Sequence, residues 1–292
     1  MGAADAVPGV SGGTIAFITG IYEELIGTIS RIDFSVLRSL RDVGVVKTWS
    51  AVNGSFLAVL LTGILSSIVL LSNVVLYMLD SYPQALWGFF FGLIAASTIV
   101  MFKAIQQWSS ISVIAFLAAA LGSFYLTTLS ASVLEANLVN IFFAGMLAIC
   151  AMILPGISGS FILLLLGLYT SVLGAVKNLE LMVISVFALG CISGLLCFSK
   201  VLTWLFKHYR DITMALLTGF LVGSLNKVWP WKEVLTTRIN SKGVEVADSQ
   251  QNILPSNFES ITGLDAQLWI VIALSFFGIA LVLFIEKINR VE

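Results

Sequence analysis

The chain has 292 residues, of which 59% are hydrophobic and 11% charged, and its formal net charge is −1. Its mean hydropathy is +1.03. No soluble domain of this length needs so much apolar surface, so the composition defines a multi-spanning α-helical membrane protein, and a net charge this close to zero argues against nucleic acid as a partner. Cys150, Cys191 and Cys197 lie in apolar segments without a CxxC spacing or a His neighbour. No metal site, disulfide or cofactor is therefore expected. His208 stands alone in a loop. The opening MGAAD has no basic n-region, so a cleaved signal peptide is not expected.

In chain order, the first element is DAVPGVSGGTIAFITGIYEELIGTI, residues 5–29. Pro8 removes a backbone donor and Gly9, Gly12 and Gly13 relax the backbone, so the apolar stretch should break and fold back as a re-entrant hairpin. Residues 30–50 are mixed. Asp33 is placed to cap a short helix that Gly44 ends, with Phe34, Leu37, Leu40 and Val43 on one stripe. A helix lying on the membrane surface and a plain solvated loop both fit this segment. Apolar spans follow at 51–73, 85–102 and 111–129.

Residues 137–176 carry no charge. As one helix they would reach about 60 Å, twice a hydrocarbon core. They must turn back, and Pro155-Gly156-Ile157-Ser158-Gly159-Ser160 is where they can. This second hairpin, 137–176, repeats the first. With a shift of 147, Pro8, Gly9, Ser11, Gly12, Ile15, Gly20, Tyr22 and Gly27 all meet identical residues, 8 of 22 positions. Spans at 181–199, 211–227 and 267–285 complete the chain, and 229–265 reads as an extracytoplasmic loop.

The repeat continues with a shift of 127, pairing Gly63 with Gly190, Tyr82 with Tyr209 and Gly92 with Gly219. The change of shift makes the surface segment a 20-residue insertion. Gly88, Gly92 and Ala96 lie opposite Ala215, Gly219 and Gly223, small-residue faces suited to close helix packing. The expected fold is all-α, with two inverted-topology repeats, 1–129 and 137–286, each a PGxSG hairpin plus three spans. A hairpin returns to its own side, so each copy crosses three times and the second copy is upside down. Short-loop lysines and arginines gather at 31–47, 103, 200–210 and 287–290, which marks that side as cytoplasmic. Each tryptophan lies near a span end, as an interfacial anchor should. The first hairpin lacks the inbound arm that 137–151 gives the second, and an in-frame apolar segment is expected upstream of Met1.

Inverted repeats with broken helices place a binding site where the breaks meet. Helix N-termini near 13–15 and 160–162, beside Ser11, Thr14, Ser158 and Ser160, suit an anion, phosphate above all. A purely structural helix break is the plainer alternative. Asp5, Glu23 and Glu24 are the ionisable groups near the hairpins. They read as solvated interfacial carboxylates, or, for Glu23 or Glu24, as proton-coupling groups.

PGVSGGTIAFITGIYEELI, the preceding GAAD and the later PGISGSFILLLLGLY resemble the bacterial polyprenyl-phosphate transporter family over essentially the whole chain. The resemblance implies a flippase that returns undecaprenyl phosphate toward the cytoplasmic leaflet of the inner membrane, with membrane lipids and the polyprenyl phosphate as partners and no enzymatic step. It implies a site made by Pro8, Gly9, Ser11, Gly12, Gly13 and Thr14 with Pro155, Gly156, Ser158, Gly159 and Ser160. Two other classes compete. Undecaprenyl-diphosphate phosphatases have a Pro-Gly-x-Ser-Arg-Ser turn, but here the arginine is absent and no Glu-x-x-x-Glu pair lies in a membrane segment. A carrier or channel for a small inorganic anion could use the same glycine turns.

Overall fold

The computed structural model describes residues 1–5, 11–129, 134–239 and 245–289. Pro8 and Gly9 lie outside the described residues. The first half runs α1 (Gly2–Asp5), α2 (Gly12–Ile18), α3 (Tyr22–Ser30), α4 (Phe34–Asp42), α5 (Val45–Ala51), α6 (Gly54–Ser81), α7 (Pro83–Ala104) and α8 (Ser110–Thr128). The second runs α9 (Leu138–Ile153), α10 (Gly159–Leu165), α11 (Tyr169–Lys177), α12 (Leu181–His208), α13 (Arg210–Ser224), β1 (Lys232–Ile239), β2 (Glu245–Asn252), α14 (Pro255–Thr262) and α15 (Leu268–Asn289). Five helices, α6, α7, α8, α12 and α15, are long and apolar enough to cross a membrane. The protein is thus a multi-pass helical membrane protein.

Two parts of the sequence repeat have matching local structure. Both α6 and α12 have 28 residues and begin 127 positions apart. Each ends on a tyrosine with the same backbone, Tyr82 at φ −140°, ψ 53° and Tyr209 at φ −139°, ψ 50°. The hairpins agree as closely. After α2, Ile21 N–H reaches Ala16 O and Gly20 N–H reaches Phe17 O; after α10, Leu168 reaches Leu163 O and Gly167 reaches Leu164 O. This is the Schellman closure of a helix end, and it needs a left-handed residue. Gly20 has φ +73° and Gly167 φ +72°.

That closure makes the outbound arm shorter than the expected single hairpin arm. The chain bends by 113° between α10 and α11. Leu134 N–H donates to Leu166 O at 3.4 Å, so the approach to α9 and the end of α10 lie side by side.

Helices α7 and α13 form the centre. Along α13, Thr213, Met214, Ala215, Leu217, Thr218, Gly219, Leu221, Gly223 and Ser224 are all buried. The small-residue faces do the packing expected of them. A Cβ on Gly92 would stand 2.0 Å from Ser275 O of α15, and one on Gly219 would stand 2.3 Å from Phe116 O of α8. Backbones approach this closely only over glycine. In contrast, α6 carries Val59, Leu61, Leu65, Val69 and Leu70 exposed, as a lipid-facing helix does.

Two readings of the sequence need correction. The long segment 229–265 is not wholly irregular, and the fold is not purely α. Strands β1 and β2 pair antiparallel, with Lys232 opposite Asn252 and Ile239 opposite Glu245. The alternation in KEVLTTRI is too weak to announce a strand beside so many apolar helices. Trp231 is no exposed anchor either. It is buried, and its Nε1 donates to Ala266 O at 2.8 Å. The surface segment does form a helix, α4, capped where expected: Asp33 accepts the Ser35 N–H at 2.8 Å. Leu40 and Val43 of its stripe are exposed.

Candidate functional site

The two glycine-rich turns meet inside the bundle. Ser11 caps α2, its Oγ accepting the Gly13 N–H at 3.0 Å. The same hydroxyl donates to Met152 O at 2.8 Å, with Leu154 O next at 3.2 Å. Thr14 Oγ1 accepts the Gly156 N–H at 3.0 Å. Ser11 and Thr14 are fully buried. The first turn therefore spends its hydroxyls on the backbone of the second.

The first turn also has an anion of its own. Asp5 Oδ1 accepts the Gly12 N–H at 2.7 Å. A Cβ on Gly12 would strike that carboxyl at 2.4 Å, and one on Gly13 would strike Ile153 O at 2.4 Å. Protein atoms, rather than open space, face both glycines.

The second turn differs. Gly156 is left-handed at φ +86°, and a Cβ there would meet Ser224 Oγ at 2.6 Å. Pro155 is buried at the apex. Gly159 opens α10 against α9, where a Cβ would meet Ala148 O at 2.6 Å. Ser158 makes no cap on α10; its Oγ pairs instead with Ser160 Oγ at 2.8 Å. A narrow cleft runs beside this turn, lined by Ser123, Thr127, Gly156, Ile157, Ser158, Phe161 and Lys227. That cleft holds only about 10 Å³, so the buried Ser158 borders a space no larger than a water molecule.

The cleft shares Thr127 and Lys227 with a cavity of about 370 Å³, walled otherwise by Thr128, Asn226, Lys232, Leu235, Gln250, Gln251 and Asn252. Lys227 Nζ lies 4.6 Å from the centre of the Phe161 ring. Lys232 Nζ lies 4.2 Å over Trp87 and donates to Lys227 O. Burial of the Lys232 ammonium, with the Lys227 charge beside it, pushes its pKa down to about 7. Sequence reasoning passed over both lysines as loop charges. The signal was KVWPWK, residues 227–232, two cations separated by a rigid aromatic pair. Trp229 and Trp231 pack on each other at 5.5 Å between ring centres.

Glu23 and Glu24 lie at the start of α3, away from the turns. Glu23 pairs with Arg210 at 3.1 Å on an exposed surface. Glu24 accepts from Asn53 Nδ2 at 2.8 Å. Among the described residues no cluster of His, Cys, Asp or Glu is fit to hold a metal ion.

Broken helices meeting within a bundle of apolar spans, with hydroxyls and a basic cavity at one break, define a membrane carrier type of architecture. The chain belongs to the family described as VCA0040-like, undecaprenyl phosphate translocase-like, whose model matches residues 1–246. It is 46% identical over 287 residues to a polyprenyl-phosphate transporter of Vibrio cholerae serotype O1, covering 98% of this chain and 93% of that protein. It is 33% identical over 252 residues to a polyprenyl-phosphate transporter of Staphylococcus aureus, covering 79% of this chain and 83% of that one. No solved structure matches the chain.

Proposed function

We propose that this protein translocates a polyprenyl phosphate, undecaprenyl phosphate in particular, across the bacterial inner membrane toward the cytoplasmic leaflet, without chemical change to it. The observation that carries this reading is the contact of the two turns, through Ser11 with Met152 and Thr14 with Gly156, beside the cleft at Ser158. Those bonds consume the Ser11 and Gly156 donors within the protein, so a phosphate headgroup, whose unpaired charge in apolar surroundings would be very costly, is left to the groups around Ser158. The substrate comes from the names of the relatives.

The two halves are read as inverted repeats, 1–129 and 137–286. Glu23 of the first hairpin pairs with Arg210 at the start of α13. The second hairpin's cleft lies toward Thr127 and Lys227, beyond the other end of α13. The hairpins thus reach inward from opposite ends of the bundle, as alternating access requires.

Within the site, Gly13 lets the first hairpin approach the second at Ile153 O and Gly159 lets α10 approach α9 at Ala148 O, whereas Gly12 makes room for the Asp5 carboxyl and Gly156 for Ser224 of α13. Ser158 and Ser160 are the hydroxyls that address the headgroup, together with the first N–H groups of α10, which have no partner within the helix. Pro8 and Gly9, outside the described residues, are the sequence mates of Pro155 and Gly156.

The test is transport by the purified protein in liposomes, using a short-chain polyprenyl phosphate and, separately, inorganic phosphate. Lipid movement without phosphate release or inorganic phosphate flux is expected. Ser158→Ala with Ser160→Ala should cut lipid binding about tenfold or more, the worth of a hydrogen bond to a charged group. Equal movement of both substrates would instead mark a small-anion carrier, and release of phosphate a phosphatase.

A further inference from the structure

Lys227 and Lys232 pose a physical problem as they stand. The ion pairs among the described residues are Lys200–Asp33 and Arg210–Glu23, and neither offsets these two ammonium groups. Lys232 donates to the backbone carbonyl of Lys227, which holds the second side chain at the root of the first. Two like charges are so kept together on the wall of one cavity, with amide side chains from Asn226, Gln250 and Asn252 around them. Self-repulsion and desolvation both oppose this arrangement, and an anion in the cavity relieves both.

The rest of the geometry specifies which anion. The cavity brings two cations together beside the Gln250 and Gln251 amides, while the Asn226 and Asn252 amides bond to Thr127 and to each other. That is the donor set of a phosphate monoester, with about −1.5 to −2 charges near neutral pH and three acceptor oxygens. Lys227 also lines the cleft that ends on Ser158. Its four-carbon stem can swing, so one ammonium serves both spaces.

We propose that Lys227 and Lys232 form a receiving subsite for a phosphate monoester at the mouth of the second turn, and that Lys227 accompanies the headgroup from this cavity to Ser158. This rests on the carrier reading above and adds to it where the headgroup is first held. Lys232 is the fixed member, pinned over Trp87, and Lys227 the mobile one.

The experiment measures binding to the full chain in detergent, with three probes: a short-chain polyprenyl phosphate, the matching polyprenol and inorganic phosphate. Lys227→Gln is the discriminating variant, since its ammonium contacts the Phe161 ring rather than holding the fold together. It should weaken polyprenyl phosphate binding about tenfold or more, the range for losing a charged hydrogen bond. Polyprenol binding should stay within about twofold, and Lys227→Arg should recover most of the loss, because the lost term is charge on the headgroup rather than tail contact. Lys232→Gln should act in the same direction. Unchanged polyprenyl phosphate binding in Lys227→Gln overturns the subsite while leaving the carrier reading in place. Equal loss of polyprenol binding overturns it too, since the lysine would then serve packing. Should the wild type bind inorganic phosphate in a Lys227-dependent way yet neither bind nor move the lipid, the subsite stands and the lipid reading falls.

Discussion

Thr14 and Gly156 are 142 residues apart, and the hydroxyl of one accepts the backbone N–H of the other at 3.0 Å in a fully enclosed setting. This bond ties the two hairpins at their tips. Replacing Thr14 by valine keeps the shape and strands the Gly156 N–H. A buried donor left without a partner costs about 1–3 kcal/mol. Thr14→Val should therefore lower the thermal midpoint measurably, and Thr14→Ser should restore much of it. Thermal unfolding of the purified protein with both variants decides this. Equal loss in both would mean that the methyl group, not the hydrogen bond, matters.

Gly20 and Gly167 give a matched pair of backbone tests. Both are left-handed, so alanine at either should cost about 1–2 kcal/mol. Gly27 and Gly174, also paired by the repeat, sit inside α3 and α11 with nothing within 4 Å of an added Cβ. Alanine there should be neutral or stabilise by up to about 1 kcal/mol. Thermal unfolding of the four single variants should separate into two and two. Any destabilisation by Gly174→Ala comparable to that by Gly167→Ala would contradict the assigned backbone.

The pH dependence of headgroup binding follows from Lys232. Its pKa is pushed down from the ordinary 10.5 to about 7. Above that value the free protein loses the Lys232 charge, so affinity for polyprenyl phosphate should fall as pH rises from about 6.5 toward 8. Among the described residues, Lys227 on the same cavity and Glu233 on the adjoining one are the other titratable groups lining these spaces. Arginine stays protonated throughout, so Lys232→Arg should flatten the profile in this window. An undiminished decline in that variant would assign the pH effect elsewhere.

Glu23 and Glu24 remain the candidates for proton coupling. Their contacts are exposed, and such a pair contributes at most about 1 kcal/mol. Glu23→Gln with Glu24→Gln should thus leave stability nearly unchanged while altering the pH dependence of transport, though not of binding. A transport profile identical to that of the wild type removes them from the coupling.

Most helices were legible in the sequence because apolar length and the two shifts constrain them. But α6 and α12 run on to Ser81 and His208, past the expected ends at 73 and 199, and α13, expected as a span at 211–227, is not among the five membrane-length helices. Even the twin Tyr82 and Tyr209 breaks fall at the predicted offset. What escaped was local. The Schellman closures at Gly20 and Gly167 hide in apolar runs where one glycine is ordinarily tolerated in a helix. The strand pair at 232–252 has no strong alternation. The glycines of the turns were legible as places of close approach, but the partner was not: Ala148 O and Asp5 are protein atoms where an anion was expected. The importance of Lys227 depends on α10 bringing Phe161 and Ser158 to it, a tertiary fact with no sequence spacing.

The carboxyl of Asp5 on the Gly12 N–H makes the two halves unequal at their most similar point. One turn is already satisfied by an acidic side chain, and the other pairs its hydroxyls with each other beside a small void that Lys227 also lines. With the proposed subsite at Lys227 and Lys232, a headgroup crossing the bundle would meet a lopsided energy profile, its deepest well nearer the lysines. Such a profile sets where the lipid dwells and which step limits the rate. It does not set the sign of the net flux, because wells between two leaflets leave the free-energy difference between those leaflets untouched. A one-way return of the lipid must draw on something outside the turns: consumption of the lipid on the arrival side, or an ion gradient.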